Sequence, residues 1–418
     1  MGSTVIEKII AAHAGRDEVR PGEIVWIELD VRSARDFGGA NVVGHLERHF
    51  GDRPIADPRR TAFTFDCVVP ANTIPYAENQ HICRTFARGH DVNLFDVDAG
   101  IGSHVLIEQG YALPGTTVVG TDSHLNLLGA VGCFGQGMGD ADIAFAFATG
   151  RTWFEVPETI RIEVKGRLEP PASAKDLTLA IVGRLGSKGA LGQAVELEGA
   201  AVDRLSLAER ITVCSMATEM GAIAAFIRPS AEVLETLGGR AGRQLSPMTW
   251  ADGDADYARR EVIDIHGLGP MIALPGSPSK VVPVAEVEGT PVDSVFIGSC
   301  TNGRFSDFAQ VAALVEGRRV GRGVMAKAVP ATREVMTAIL HEGIVDALHG
   351  AGIIVSNAGC GGCASGQIGM TGRGEVQVST SNRNFRGKQG MGETYLASPT
   401  TAAASALAGR ITKPEVPA

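Results

Sequence analysis

The residues best suited to chemistry are Cys360 and Cys363, three positions apart in "SNAGCGGCASG", a run of Gly, Ala and Ser over residues 356–366. Two thiols so spaced can form a redox pair, half of a zinc site or part of an iron–sulfur site. A redox pair usually opens a helix in a thioredoxin-like βαβ unit, and that context is missing here. Zinc asks for two further Cys or His ligands, usually as a second close pair. None of the other five cysteines forms such a pair. Cys300, in "GSCTNG", is the third thiol of interest. Three thiolates can hold three corners of a [4Fe–4S] cube and leave the fourth iron without a protein ligand. That open iron is a Lewis acid able to bind a substrate hydroxyl and carboxylate. On spacing alone, this reading and structural zinc both stay open.

These thiols must be carried by strands that end in loops. Four stretches share one layout, a short β-branched run entering a polar loop: "TTVVGTDSH", "DSVFIGSCTNG", "GIIVSNAGCGGC" and "VQVSTSNRNF". Each reads as a buried strand. Helical patterns such as "SDFAQVAALVEG" and "TREVMTAILHEGIVDALHG" lie between them. Strands alternating with helices imply parallel sheets in an α/β fold, with ligands beyond the carboxyl ends of the strands. All four polar clusters fall there, so one shared site is expected. The Pro pair in "KGRLEPPASAKD" and the Pro- and Gly-rich "ALPGSPSKVVPVAEVEGTPVDS" suggest boundaries, giving units at 1–168, 169–286 and 287–418. Ser173 and Asp176 form a helix-opening capping box. The glycine run "GCFGQGMGD" fails the phosphate-loop spacings and reads as loop and close helix packing.

At 418 residues the chain exceeds one ordinary core. Hydrophobic residues make up 44% and charged residues 20%, as in a soluble globular protein. The net charge of −9 argues against a nucleic-acid partner, since phosphate binding needs a basic stripe. No apolar run reaches about 18 residues, so no membrane span is expected. The opening "MGSTVIEKIIAAHAG" lacks the pattern of a secretory signal, and a cytoplasmic location is expected. Seven scattered cysteines are no disulfide framework, and Cys83, Cys133 and Cys214 read as buried apolar thiols.

Taken together, "GTDSH", "GSCTNG", "CGGC" and "SNRNFRGKQG" resemble the aconitase superfamily, and more closely the large subunits of its isopropylmalate dehydratase and homoaconitase branch. The resemblance covers essentially the whole chain. It implies three α/β/α domains around a cluster-containing cleft, without the fourth, swivel domain. It also implies a hydro-lyase that isomerises a malate-type 2-hydroxy diacid by dehydration and rehydration, as in leucine synthesis. Cys300, Cys360 and Cys363 match the ligands of a [4Fe–4S] cluster with one open iron. Asp66, His104, Asp122, Ser123, His124 and Glu219 match catalytic positions, and Asn382 and Arg383 match a pair beside cluster and substrate. A planar guanidinium suits a di- or tricarboxylate substrate. In the superfamily the base is a serine on the swivel domain, whose Gly-Ser-Ser-Arg signature finds no match here. A small subunit of about 150–200 residues is expected to supply it in a heterodimer or heterotetramer.

Two positions depart from the pattern. Cys67 follows Asp66 where the family usually has His, and a thiol near pKa 8.5 suits proton donation at neutral pH less well than an imidazole near 6.5. Lys388 stands where Arg is usual, keeping the charge and losing the fork. These departures leave homocitrate, citramalate-type, dialkylmalate or specialised-metabolism substrates as alternatives. A cluster-dependent binding protein without enzyme activity is the rival from another class.

Overall fold

The short β-branched runs do form strands, though Ile354–Val355, expected to be buried, is a two-residue edge strand with Ile354 exposed. The computed structural model describes residues 2–51, 53–364 and 367–415, arranged as an α/β fold with three larger sheets and one two-stranded ribbon. The first sheet has five parallel strands in the order Asn93–Phe95, Thr61–Thr64, Val31–Arg35, Thr117–Gly120 and Phe134–Gly137. The second has four parallel strands, Ala224–Ile227, Ala194–Glu198, Thr159–Lys165 and Arg259–Asp264. The third has seven: Val281–Pro283, Met271–Ala273, Glu393–Ala397, Val376–Ser379, Ser294–Gly298, Met325–Val329 and Ile354–Val355. Its last five are mutually parallel, and the first two join antiparallel at one edge. Central strands such as Thr117–Gly120 and Ser294–Gly298 are buried at every position, which explains their unbroken apolar character.

The helices between strands are held by local chemistry. Asp176 accepts from both the backbone N–H (2.8 Å) and the hydroxyl (2.7 Å) of Ser173, completing the expected capping box of helix Ala174–Leu185. The expected helical run after Thr332 is two helices, Arg333–His341 and Ile344–Gly350, parted by Gly343 with φ at +70°. No described helix is long and apolar enough to cross a membrane.

One expectation needs correcting. Part of "GCFGQGMGD" is a strand, Phe134–Gly137, at the edge of the first sheet. Glycine normally weakens a strand, but here the backbone of a neighbouring loop lies against it. A Cβ on Gly135 would meet the Leu125 carbonyl oxygen at 2.2 Å, and one on Gly137 the Asp122 oxygen at 2.4 Å. The glycines admit the Asp122–Leu125 loop, which carries site residues.

Candidate active site

The parallel strands of the first sheet deliver their side chains at one edge. Strand Val31–Arg35 ends in Arg35 and Asp36, Thr61–Thr64 runs on to Asp66 and Cys67, and Thr117–Gly120 to Asp122, Ser123 and His124. Buried Asp36 fastens this edge, accepting from the backbone N–H groups of Asp66, Cys67 and Val68 at 3.1–3.3 Å. The third sheet contributes in the same way. Cys300 follows Ser294–Gly298, Cys360 and Cys363 follow Ile354–Val355, and Asn382 and Arg383 follow Val376–Ser379. The Thr380 hydroxyl donates to the Gly298 carbonyl (3.0 Å) and accepts from its N–H (2.9 Å), locking two of these loops together.

The two edges meet around a cavity of about 300 Å³, lined by Arg35, Cys67, Tyr76, Asp122, Ser123, His124, Cys300, Cys360, Cys363, Asn382, Arg383 and Lys388, with Phe37, Val68 and Ile101 as apolar wall. The Cys360 N–H donates to the Asp66 carbonyl at 2.8 Å, joining one edge to the other. Backbone strain marks the Cys300 turn: Ser299, not a glycine, has φ at +79°.

Arg35 is the electrostatic centre. Its Nε donates to Asp66 Oδ1 (2.7 Å), Nη1 to Asp122 Oδ1 (3.0 Å) and Nη2 to Cys360 Sγ (2.7 Å). Burial opposes ionisation of Asp122, yet Arg35 and His124 hold its carboxyl below the usual range. Asp66 differs: burial, against the pull of Arg35, pushes it up to about 6. The Cys67 thiol is 3.4 Å from Asp66 Oδ1 and is held well above the usual thiol range by its hydrogen bond with Cys360 and by burial. Burial also raises Cys300 and Cys363.

Across the cavity, Glu219 Oε1 accepts from Arg383 Nε (2.8 Å) and pairs with His124 Nε2 (3.0 Å). Despite burial, those two partners keep the Glu219 carboxyl below its ordinary range. Asn382 Nδ2 donates to Cys300 Sγ at 3.1 Å. His104 is placed otherwise. It is fully buried, its Nε2 lies 3.0 Å from the Cys300 carbonyl, and its Nδ1 lies 3.3 Å from Arg304 Nη1. Since Arg304 can only donate, the ring proton belongs on Nε2. Burial and the Arg304 charge push His104 down to about 3, so it is neutral. It braces the Cys300 loop from behind.

The expected site residues therefore gather around one cavity, with His104 behind it and Asp66 and Glu219 bonded to residues of its wall. Sequence reasoning missed Arg35, Asp36, Tyr76 and Lys175. "VRSARDF" has the same strand-into-polar-loop layout as the four stretches singled out, and that signal was available. Lys175 is fully buried and donates to the carbonyls of Thr380 (3.0 Å) and Ser381 (2.7 Å), and burial lowers it to about 8. Nothing local marks it.

Residues 7–289 and 285–409 match the aconitase family (aconitate hydratase). The chain belongs to the aconitase family. Within it, the 3-isopropylmalate dehydratase large subunit 1 of Methanopyrus kandleri is 42% identical over 417 residues, covering 99% of each chain. The 3-isopropylmalate dehydratase large subunit of Aquifex aeolicus is 40% identical over 423 residues, covering 99% of this chain and 98% of that one. A probable methanogen homoaconitase large subunit from Methanothermobacter thermautotrophicus is 41% identical over 415 residues, with 98% and 97% coverage. Among solved structures, aconitase X of Thermococcus kodakaraensis (holo-form) matches with a TM-score of 0.48 and 11% identity over 91% of this chain and 89% of that one.

Membership of the aconitase family implies an iron–sulfur cluster, and the donor set fits one. Thiols from two loops face one cavity, and N–H groups of Arg35 and Asn382 already point at the sulfurs of Cys360 and Cys300. The Tyr76 hydroxyl is buried without a partner in a residue that lines the same cavity. That leaves a polar group for a guest to satisfy.

Proposed function

We propose that this chain is the cytoplasmic large subunit of an iron–sulfur hydro-lyase that isomerises 2-isopropylmalate to 3-isopropylmalate by dehydration and rehydration, in leucine biosynthesis. The convergence of the three family-matched thiols, the Asp122 carboxylate and the His124–Glu219–Arg383 chain at one cavity carries this reading. Relatives of that name, matched over nearly their whole length, support it. Phe37, Val68 and Ile101 in the cavity wall suit an alkyl substituent better than a third carboxylate.

Cys300, Cys360 and Cys363 would hold a [4Fe–4S] cluster, which supplies Lewis acidity at an iron without a protein ligand. Arg383, fixed by Glu219, and Lys388 bind the carboxylates of the diacid. Asp122, kept ionised by Arg35, accepts from the backbone N–H of His124 (3.0 Å) and fixes that loop. Glu219 Oε1, 3.0 Å from His124 Nε2, orients the imidazole, and His124 gives a proton to the departing hydroxide. Asp66 and the Cys67 thiol stand beside that path. Ser123, exposed on the rim, contacts substrate. His104 and Asn382 position Cys300. The proton on the neighbouring carbon is taken by a serine on the swivel domain of a small subunit, in a heterodimer or heterotetramer. The large chain alone is inactive. The three larger sheets mark three α/β units, which we take as domains. Strand Thr159–Lys165 lies in the second sheet and strands Met271–Ala273 and Val281–Pro283 in the third, so the boundaries fall before Thr159 and between Asp264 and Met271 rather than at 168/169 and 286/287.

The test is anaerobic co-expression with the small subunit, iron and sulfide counting, and ultraviolet detection of the unsaturated diacid. Turnover of 2-isopropylmalate at least tenfold more efficient than of homocitrate is expected. The reverse preference favours the homoaconitase reading, in line with the 41% identical relative. An iron-replete complex that turns over neither substrate rejects both.

A further inference from the structure

The three thiols assigned to the cluster do not form the tightest ligand group. Among the described residues, one set of three Cys, His, Asp or Glu side chains brings its ligand atoms within 4.8 Å of one another: Asp66, Cys67 and Cys360, all buried. Cys300, Cys360 and Cys363 do not reach that closeness together. This separates two kinds of guest. Around one tetrahedral zinc, with sulfur at about 2.3 Å and carboxylate oxygen at about 2.0–2.2 Å, ligand atoms stand roughly 3.5–3.8 Å apart. Thiolates on different corners of a cube stand farther apart, because each binds its own iron.

We propose that in the cluster-free chain Asp66, Cys67 and Cys360 bind one thiophilic divalent cation, of which zinc is the probe, with the fourth position open to the cavity. The backbone is already fixed for it, since the Cys360 N–H donates to the Asp66 carbonyl at 2.8 Å. The charges also balance. Two thiolates and a carboxylate exceed a divalent ion by one negative charge. Arg35, 2.7 Å from both Asp66 Oδ1 and Cys360 Sγ, offsets that charge and orients two of the three ligands. Cys360 belongs to both sets, so the single ion and the cluster exclude each other. Cys67 decides the outcome: it belongs to the ion site alone. The proposal concerns the cluster-free chain and stands independently of the reaction assigned above.

The test uses the full chain produced without iron, titrated with zinc against a chromogenic chelator and, separately, with cobalt. One zinc per chain is expected, and cobalt should give a sulfur-to-metal charge-transfer band with tetrahedral visible bands. Cys67→Ser should weaken zinc about 100-fold, as loss of a direct ligand costs at least what loss of its outer support does, whereas Cys300→Ser and Cys363→Ser should change it less than about threefold. Zinc-loaded wild type should refuse iron and sulfide, and Cys67→Ser in the same zinc should accept them. Circular dichroism, with Cys67→Ala as a second variant, guards against misfolding. No zinc uptake by the wild type, Cys67→Ser binding zinc within about threefold of it, or Cys300→Ser weakening binding equally would overturn the proposal.

Discussion

Arg35 shows how much one side chain organises here, since it alone joins two buried carboxylates to a thiol of the opposite loop. Replacing it with an apolar group of similar length leaves Asp66 and Asp122 desolvated and facing each other. Arg35→Met should lose about 3–5 kcal/mol of stability by denaturant unfolding, more than an exposed ion pair is worth. Cys67 carries the other residue-scale prediction. Its thiol stays protonated well beyond neutral pH, so it holds a proton that it releases poorly. Cys67→His should raise kcat for dehydration about tenfold or more, with a new limb in the pH–rate profile near the imidazole pKa. An unchanged or lower rate would show that His124 and Asp66 already suffice.

At the level of elements, the site depends on turns that leave no room. Gly298 has φ at +144°, and a Cβ there would sit 2.4 Å from the Val329 carbonyl oxygen. Gly298→Ala should therefore displace the Cys300 turn, costing about 1–3 kcal/mol and lowering iron per chain, as thermal unfolding and iron counting would report. The four strand-into-loop stretches were legible because buried parallel strands need unbroken β-branched runs, and ligand-bearing loops break them with polar residues. The three cysteines stood out in that layout, with cluster and zinc both open; the cluster role and the Asp122–His124 triplet came from the family resemblance. The layout of "VRSARDF" could have drawn attention to Arg35, but not its role, which lies in partners 31, 87 and 325 positions away. The strand Phe134–Gly137 was hidden for a related reason: propensity counts glycine against a strand, and only the neighbouring loop explains it.

For the whole molecule, buried carboxyls set a pH dependence. Asp176 anchors the helix Ala174–Leu185, and burial raises its pKa from 3.8 to about 6. Between those values the folded chain holds a proton that the unfolded chain has released, so folding takes up protons there. Its contribution to stability therefore rises as pH falls from above 6 towards 4, and the penalty is fully present above 6. Asp176→Asn carries no charge at any pH. The stability of wild type relative to this variant should improve by about 2 kcal/mol between pH 7 and pH 4, read from denaturant midpoints. Groups common to both chains cancel in that difference.

The hydrogen bond between the Asp66 carbonyl and the Cys360 N–H also orders events in time. A ribosome makes about 5–20 residues per second, so Arg35, Asp66 and Cys67 emerge on the order of 20–70 s before Arg383 is added. During that interval the first sheet can fold, while its cavity edge faces solvent with two carboxylates, a guanidinium and one thiol uncovered. The nascent chain therefore meets the metal pool of the cell before all the thiols that would seat a cluster have been made.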